Sequence, residues 1–149
     1  IMTHKASMRA FDAAGDPGAY PGAGTPWQPL KLYYFVSFPP ERFEALDVLL
    51  TSRGMENPFA DWMKRIRERK RPRWEITTRV HCSEYFDLAD EALKAHATQV
   101  DPNGFWFALP NEIVAEAWPT EDYHLVRSIV DTEIPEKDLF AGVREAVGV

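Results

Sequence analysis

The sequence carries one pair of polar side chains whose spacing suits ligand recognition, His96 and Gln99 in the segment HATQ. The stretch from Asp87 onward is typical of a helix, and residues three apart lie on the same helix face. Imidazole and amide groups both donate and accept hydrogen bonds, as recognition of a polyol or a sugar requires. The small side chains of Ala92 and Ala95 leave room beside that face. The alternative is a pair that hydrogen-bonds local backbone near the helix end, and spacing alone favours this alternative.

The other reactive side chains form no motif of a metal hydrolase or of an enzyme with a side-chain nucleophile. The four histidines are not spaced as His-Glu-x-x-His, and the single cysteine, Cys82, has no second cysteine with which to bind zinc. His81 and Cys82 are neighbours in a predicted strand, so they should point to opposite faces of it rather than form a catalytic pair. The chain itself is therefore expected to supply no catalytic residue and no metal ligand.

Residues 64–73, KRIRERKRPR, are strongly basic. One interpretation is a site for an anion or a phosphate group. The other is a solvated helix end, where positive charge is favourable because the helix C-terminus carries partial negative charge. Neither a glycine-rich loop nor interleaved aromatic residues accompany the stretch, which favours the second interpretation.

Apolar periodicity and the positions of glycine and proline predict alternating helices and strands, and hence an α/β fold. Asp87 and Asn111 are the predicted caps of two helices, and Pro135 is the predicted start of the last helix, with its apolar residues inward. The segment FWFALP is predicted to be a short strand or a wall over the core. Helices are predicted at residues 1–14, 40–53, from 57 into the basic stretch 64–73, at 87–100, 111–118 and from 135 onward, and strands at 30–38, 74–82 and 123–130.

Composition limits the class of protein. The chain has 149 residues, enough for one domain with a real core, and its 45% hydrophobic and 27% charged content is typical of a folded soluble protein. A net charge of −6 argues against a general binder of nucleic acid or of anionic membranes. The sequence has neither an apolar run near the roughly 20 residues that cross a bilayer nor a recognisable signal peptide. These features predict a cytoplasmic location.

Three segments together carry a resemblance to a known family. ALKAHATQVDPNGFWF, WPTEDYHLVRS and IPEKDLFAG look like the C-terminal half of members of the LmbE-like (PIG-L) family of zinc-dependent amidohydrolases and sugar N-deacetylases. The opening IMTHKASMRAFDAAGDP resembles the helix that follows the His-Pro-Asp-His motif of this family. The resemblance covers essentially residues 1–149. It implies the C-terminal part of a single Rossmann-like domain, with a mixed sheet and flanking helices.

The resemblance also implies where the cofactor lies. In this family, zinc is held by residues of an Ala-His-Pro-Asp-Asp-Glu motif and of the His-Pro-Asp-His motif. This chain contains neither motif, so the zinc ligands are expected in an N-terminal half that acts as its partner. His96 and Gln99 match the His-x-x-Gln motif of the family, and the resemblance therefore makes them candidate contacts to the substrate or the pocket. His4 would lie one helical turn after a zinc ligand. It would then either support that ligand or lie at the rim of the substrate pocket. The alternative is a role at the surface or as a helix cap.

The expected activity is that of the family branch that cleaves the amide bond of mycothiol S-conjugates, giving an N-acetylcysteinyl conjugate and glucosaminyl-inositol. The expected partner is therefore a small thiol-glycoside substrate. A first alternative is N-deacetylation of a small aminosugar or glycoside, and a second is a non-catalytic ligand-binding module. Because the helix at Ile1 begins without a cap, the chain is expected to be cut from a longer protein. The alternative is initiation at Met2 after a cloning scar.

Overall fold

The computed structural model describes residues 2–68 and 73–148 and combines helices with strands, as the sequence predicts. Its elements are α1 (Met2–Ala14), β1 (Lys31–Phe35), α2 (Pro40–Ser52), α3 (Ala60–Glu68), β2 (Thr78–His81), α4 (Phe86–Lys94), α5 (Asn111–Ala117), β3 (Thr120–Ser128) and α6 (Val143–Val147), with single 3₁₀ turns at Ser83–Tyr85 and Phe105–Phe107. The basic stretch begins in α3, but residues 69–72 lie outside the described residues, as does Ile1, the predicted first residue of the first helix.

The strands form a three-stranded antiparallel sheet in the order β1-β3-β2. β3 lies at the centre, and in its pairing with β1 the residue opposite Tyr34 is His124. Among the described residues, the parallel pairing expected of a mixed sheet is limited to one isolated bridge between Thr78 and Glu136. The helix-and-strand class is therefore confirmed, and the Rossmann-like arrangement stays a prediction.

The main apolar core lies between α2, α3 and α5. Phe43, Leu46 and Leu50 recur at helical spacing on one face of α2, and all three are buried. Their core partners are Phe59, Met63 and Ile113. This packing fixes α2, whose first turn reaches the cavity described below.

No helix within the described ranges has the length and apolar character needed to span a bilayer.

One buried carboxylate anchors the segment after β3 to the sheet. Glu136 is 3% exposed and accepts hydrogen bonds from Thr78 Oγ1 at 2.6 Å and from the Tyr33 hydroxyl at 2.7 Å. It also pairs with Lys31 and accepts a hydrogen bond from Thr132. Burial alone would raise the pKa of Glu136, but these four donors outweigh burial and hold the pKa below its usual value. The carboxylate is therefore kept charged inside the protein.

The predicted last helix is wrong. The segment from Pro135 is irregular, α6 begins only at Val143, and the side chain of Phe140 is 58% exposed instead of inward. Backbone hydrogen bonds explain the difference, because Glu136 donates to the carbonyl of Thr77 at 2.8 Å and accepts from the amide of Arg79 at 2.9 Å. A residue committed to a bridge with a strand cannot also continue a helix.

The two predicted helix caps are also wrong. α4 begins at Phe86, one residue before Asp87, and Asn111 is the first residue of α5 after Pro110. The Asn111 side-chain amide donates instead to the carboxylates of Asp87 at 2.9 Å and Asp90 at 3.1 Å. These polar side chains therefore join two helices rather than cap one.

Candidate functional site

The predicted pair His96 and Gln99 lies in a turn after α4, so its predicted place within the helix is wrong. The His96 amide donates to the carbonyl of Leu93 at 3.1 Å, and the Gln99 amide donates to the carbonyl of His96 at 2.9 Å. The helix cannot continue far, because Pro102 has no N–H to donate and disfavours helical backbone at the residue before it. Both side chains are exposed and, within the described chain, make no side-chain hydrogen bond. Their role in substrate contact stays a prediction.

Residues 101–104, Asp-Pro-Asn-Gly, form a turn, as this composition favours. Asp101 accepts the amide of Asn103 on its side chain at 2.9 Å and the amide of Gly104 on its carbonyl at 3.0 Å. The segment that follows was predicted to be a short strand or a wall over the core. It begins with the 3₁₀ turn Phe105–Phe107, so the strand is wrong, whereas Phe105 and Trp106 line the wall of the cavity described below.

His4 lies on the exposed side of α1 and contacts the sheet. Its Nδ1 hydrogen-bonds with the Tyr34 hydroxyl, and the two ring centroids are 5.2 Å apart. The Tyr34 ring lies edge-on to Trp74 at 5.2 Å, and Trp74 lies 5.0 Å from the ring of His124. Sequence reasoning singled out only the first of these four residues. The other three residues could not be identified from the sequence, because the strand register that places Tyr34 opposite His124 was not known.

A cavity of about 300 Å³ opens between α2, α4, α5 and the end of β1. Its polar lining consists of Ser37, Arg42, Asp90, Asn111 and Glu121. The rest of its wall is apolar, with aliphatic residues and the aromatic residues Phe35, Phe38, Phe43, Phe59, Phe86, Phe105 and Trp106. A concave, largely apolar site with a few polar groups is the usual form of a small-molecule site.

Four aromatic residues, Phe35, Phe38, Phe105 and Trp106, line both this cavity and a second opening of about 680 Å³. Phe38 lies 5.4 Å from Trp106 and 6.5 Å from Phe105, measured between ring centroids. Their side chains are 38%, 54% and 36% exposed, respectively. Large aromatic side chains exposed around a cleft indicate a surface that contacts a ligand or a partner. We call Phe38, Phe105 and Trp106 the aromatic wall.

Arg42 is the cationic side chain of the smaller cavity. Burial lowers its pKa, while the carboxylates of Asp122 and Glu121 act in the opposite direction. Those carboxylates are bonded to other groups, because Asp122 accepts from the Trp118 indole at 2.7 Å and Glu121 accepts from the Tyr123 hydroxyl at 3.0 Å. In the part of the chain that the structure describes, the Arg42 guanidinium makes no ion pair and no hydrogen bond. Its donors are therefore available to a ligand in the cavity.

The cysteine does not form a nucleophile–base pair with its neighbour. Burial raises the pKa of the Cys82 thiol, which disfavours the reactive thiolate. His81 is exposed and faces Glu84, with 3.8 Å between the His81 ring nitrogen and the carboxylate. This geometry agrees with the expectation that His81 and Cys82 do not form a catalytic pair.

Residues 2–68 and 73–148 bring no three His, Cys, Asp or Glu side chains together as a metal ion would require. A zinc ion is bound by such donors in a tetrahedral arrangement. The donor set of the described residues therefore does not fit a zinc ion by itself.

Comparison with known proteins finds relatives that span the chain almost completely. It is 51% identical over 147 residues to a mycothiol S-conjugate amidase of Streptomyces coelicolor, covering 97% of this chain and 50% of the relative. It is 35% identical over 153 residues to 1D-myo-inositol 2-acetamido-2-deoxy-alpha-D-glucopyranoside deacetylase 1 of Frankia alni, covering 96% of this chain and 51% of the relative. A 1D-myo-inositol 2-acetamido-2-deoxy-alpha-D-glucopyranoside deacetylase of Streptomyces avermitilis is 34% identical over 148 residues, covering 96% of this chain and 48% of the relative.

No profile of a known protein family and no solved structure matches the chain. The resemblance found in the sequence segments is nevertheless confirmed by the curated relatives, of which the chain spans about half the length. Over nearly all of its residues, the chain is thus homologous to about half of an amidase of mycothiol S-conjugates and of several deacetylases.

Proposed function

We propose that this chain is the C-terminal portion of an LmbE-like, zinc-dependent amidohydrolase that cleaves the amide bond of mycothiol S-conjugates. The observation that carries the proposal is the 51% identity over 97% of the chain to the amidase of Streptomyces coelicolor. The identity to the deacetylases named above is 34–35%. The products would be an N-acetylcysteinyl S-conjugate and glucosaminyl-inositol, and the complete domain would have a Rossmann-like sheet.

Within this proposal, His96 and Gln99 contact the polar part of the substrate. Support comes from their exposure and from their position in the turn that joins two parts of the cavity lining, Leu93 and Phe105. We also propose that His4 lies at the rim of the substrate pocket of the complete domain. Its hydrogen bond with Tyr34, which orients the imidazole ring, supports this role. No residue of this chain is proposed as a catalytic group.

Zinc would be held by ligands in the N-terminal half, which acts as the structural partner of this chain. The substrate is a small thiol-glycoside, and the protein is proposed to act in the cytoplasm without binding nucleic acid or a membrane. The net charge of −6 supports the exclusion of polyanionic partners.

A second candidate reaction is N-deacetylation of an acetamido sugar linked to inositol. The specific observation in its favour is that several relatives at 34–36% identity carry the name of such a deacetylase. Both reactions hydrolyse an amide with a glucosaminyl amine as the leaving group, and they differ in the acyl group that is transferred to water.

The test is product identification with the complete gene product. The protein is loaded with zinc and incubated separately with S-methyl mycothiol and with the acetamido-glucopyranosyl inositol, and the products are identified by mass spectrometry. We expect N-acetyl-S-methylcysteine and glucosaminyl-inositol from the first substrate, with turnover lost after chelation and restored by zinc. Acetate released only from the second substrate would support the deacetylase, and binding without turnover of either would support a non-catalytic module.

A further inference from the structure

The function proposed above assigns no part of the substrate to the cavity that is lined by Arg42 and the aromatic wall, which we call the aromatic cavity. Its volume of about 300 Å³ is roughly twice that of the ~150 Å³ apolar cavity known to hold a benzene molecule. The wall presents ring faces and edges from several elements, and rings pack well against other rings in offset or edge-to-face arrangements. The cavity is therefore large enough for an aromatic group and has the chemistry to bind one.

One continuous segment connects this cavity to the pair predicted to contact the substrate. Leu93 lines the cavity, and its carbonyl accepts the amide of His96 at 3.1 Å. Beyond Gln99, the turn at residues 101–104 leads directly to Phe105 and Trp106, which line the cavity again. A ligand held at the HATQ turn would thus have the aromatic cavity next to it.

Arg42 gives the cavity a specific polar contact. Arg42 lines the cavity, and none of the hydrogen bonds of the described residues uses its guanidinium. The nearby carboxylates of Asp122 and Glu121 are bonded to the Trp118 indole and the Tyr123 hydroxyl. A half-buried guanidinium with available donors favours a ligand that carries a hydrogen-bond acceptor.

We propose that this cavity binds the thiol substituent of the S-conjugate, and that it favours an aromatic substituent whose hydrogen-bond acceptor faces Arg42. The inference rests on the proposed function, since it assigns a site to one part of that substrate. It makes the aromatic wall and Arg42 the determinants of which conjugates are hydrolysed best.

The first test measures kcat/KM of the complete, zinc-loaded gene product for two conjugates, S-benzyl and S-methyl mycothiol. Trp106→Ala should lower the ratio of benzyl to methyl about tenfold, which corresponds to about 1.4 kcal/mol of lost aromatic contact. Trp27→Ala is the matched control, because Trp27 is 73% exposed and lines neither cavity. Its ratio should equal that of the wild type.

The second test addresses the polar contact with S-(4-nitrobenzyl) and S-benzyl mycothiol. Arg42→Met should lower the ratio of nitrobenzyl to benzyl by about fivefold to tenfold, since only the nitro group accepts a hydrogen bond. Each ratio is measured within one variant, so a loss of folded protein affects both substrates equally and cancels.

The outcomes separate this inference from the function on which it rests. If the wild type hydrolyses no S-conjugate, the proposed function itself is wrong. If the wild type hydrolyses them, but Trp106→Ala lowers kcat/KM equally for benzyl and methyl, the aromatic wall is a packing surface against the rest of the protein. That result, or an unchanged nitrobenzyl preference in Arg42→Met, overturns the assignment of the cavity.

Discussion

At the scale of single residues, His96 and Gln99 have side chains that the fold does not use. Their backbone groups build the turn after α4, whereas the imidazole and the amide are exposed and bond to no described residue. Substitution of such side chains usually changes stability by less than about 0.5 kcal/mol. A kinetic effect at these positions would therefore report on substrate contact and not on folding.

We predict that Gln99→Ala lowers kcat/KM for S-methyl mycothiol by roughly fivefold to a hundredfold in the complete protein. The range corresponds to losing a hydrogen bond worth about 1 kcal/mol, and more where a polar partner is left unpaired. His96→Ala should lower kcat/KM at least as much, and the melting temperature of both variants should stay within about 2 °C of the wild type. Steady-state kinetics and thermal melting of the same samples provide the measurement.

Thr98→Ala is the control for these two variants, because Thr98 is exposed in the same turn. We expect wild-type kinetics for it. Normal kcat/KM in both His96→Ala and Gln99→Ala would contradict the proposed substrate contact and would mean that the HATQ turn has only a structural role.

At the scale of elements, the segment after β3 depends on Glu136. Its side chain and that of Lys31 are 0% and 3% exposed, so the ion pair is shielded from water. Glu136→Gln would leave the Lys31 ammonium buried without a counter-charge. We expect a loss of about 3–5 kcal/mol in the free energy of unfolding, measured by denaturant titration.

Glu133→Gln supplies the matched comparison, since Glu133 lies three residues earlier and is exposed. Its free energy of unfolding should change by less than about 0.5 kcal/mol. Equal small losses in the two variants would mean that the buried pair does not anchor this segment.

The lowered pKa of Glu136 also predicts how stability depends on pH. An unfolded glutamate titrates near pH 4.3, while the folded Glu136 takes up its proton only at lower pH. As the pH falls, the unfolded chain therefore binds the proton first, and the stabilisation present above pH ~5 is lost through the folded pKa. The free energy of unfolding should fall more steeply below pH ~5 in the wild type than in Glu136→Gln. Identical slopes in denaturant titrations at pH 7, 5 and 3.5 would be inconsistent with this role.

The elements differ in how far the sequence determines them. α2 could be predicted because proline at its start, apolar residues at helical spacing and Gly54, with a φ of 64°, at its end are all local signals. The segment at Glu136 could not be predicted, since its partners Lys31 and Thr78 lie 105 and 58 residues away in sequence.

The candidate site likewise has a part that the sequence predicts and a part that depends on the tertiary fold. The HATQ segment was found from its residue types, but the cavity and Arg42 emerge only when α2, α4 and α5 are packed together.

At the scale of the whole molecule, the chain spans about half the length of its relatives and exposes large apolar side chains. Phe35, Trp106 and Phe140 are each more than half exposed, and β1 is an edge strand of the sheet. Exposed apolar surface and unpaired strand edges promote association. We expect residues 1–149 expressed alone to aggregate or to require the N-terminal half for solubility, as measured by size-exclusion chromatography. A cooperatively melting monomer would favour a stand-alone module.

In the proposed function, this chain is part of an amidase that prefers mycothiol S-conjugates to the acetamido sugar. The most direct test is a competition assay in which the complete, zinc-loaded protein meets S-methyl mycothiol and the acetamido-glucopyranosyl inositol in one reaction. The ratio of the two product-formation rates then gives the ratio of kcat/KM. We predict a preference of at least about tenfold for the S-conjugate, or about 1.4 kcal/mol between the two transition states. A preference of that size for the acetamido sugar would contradict the assignment.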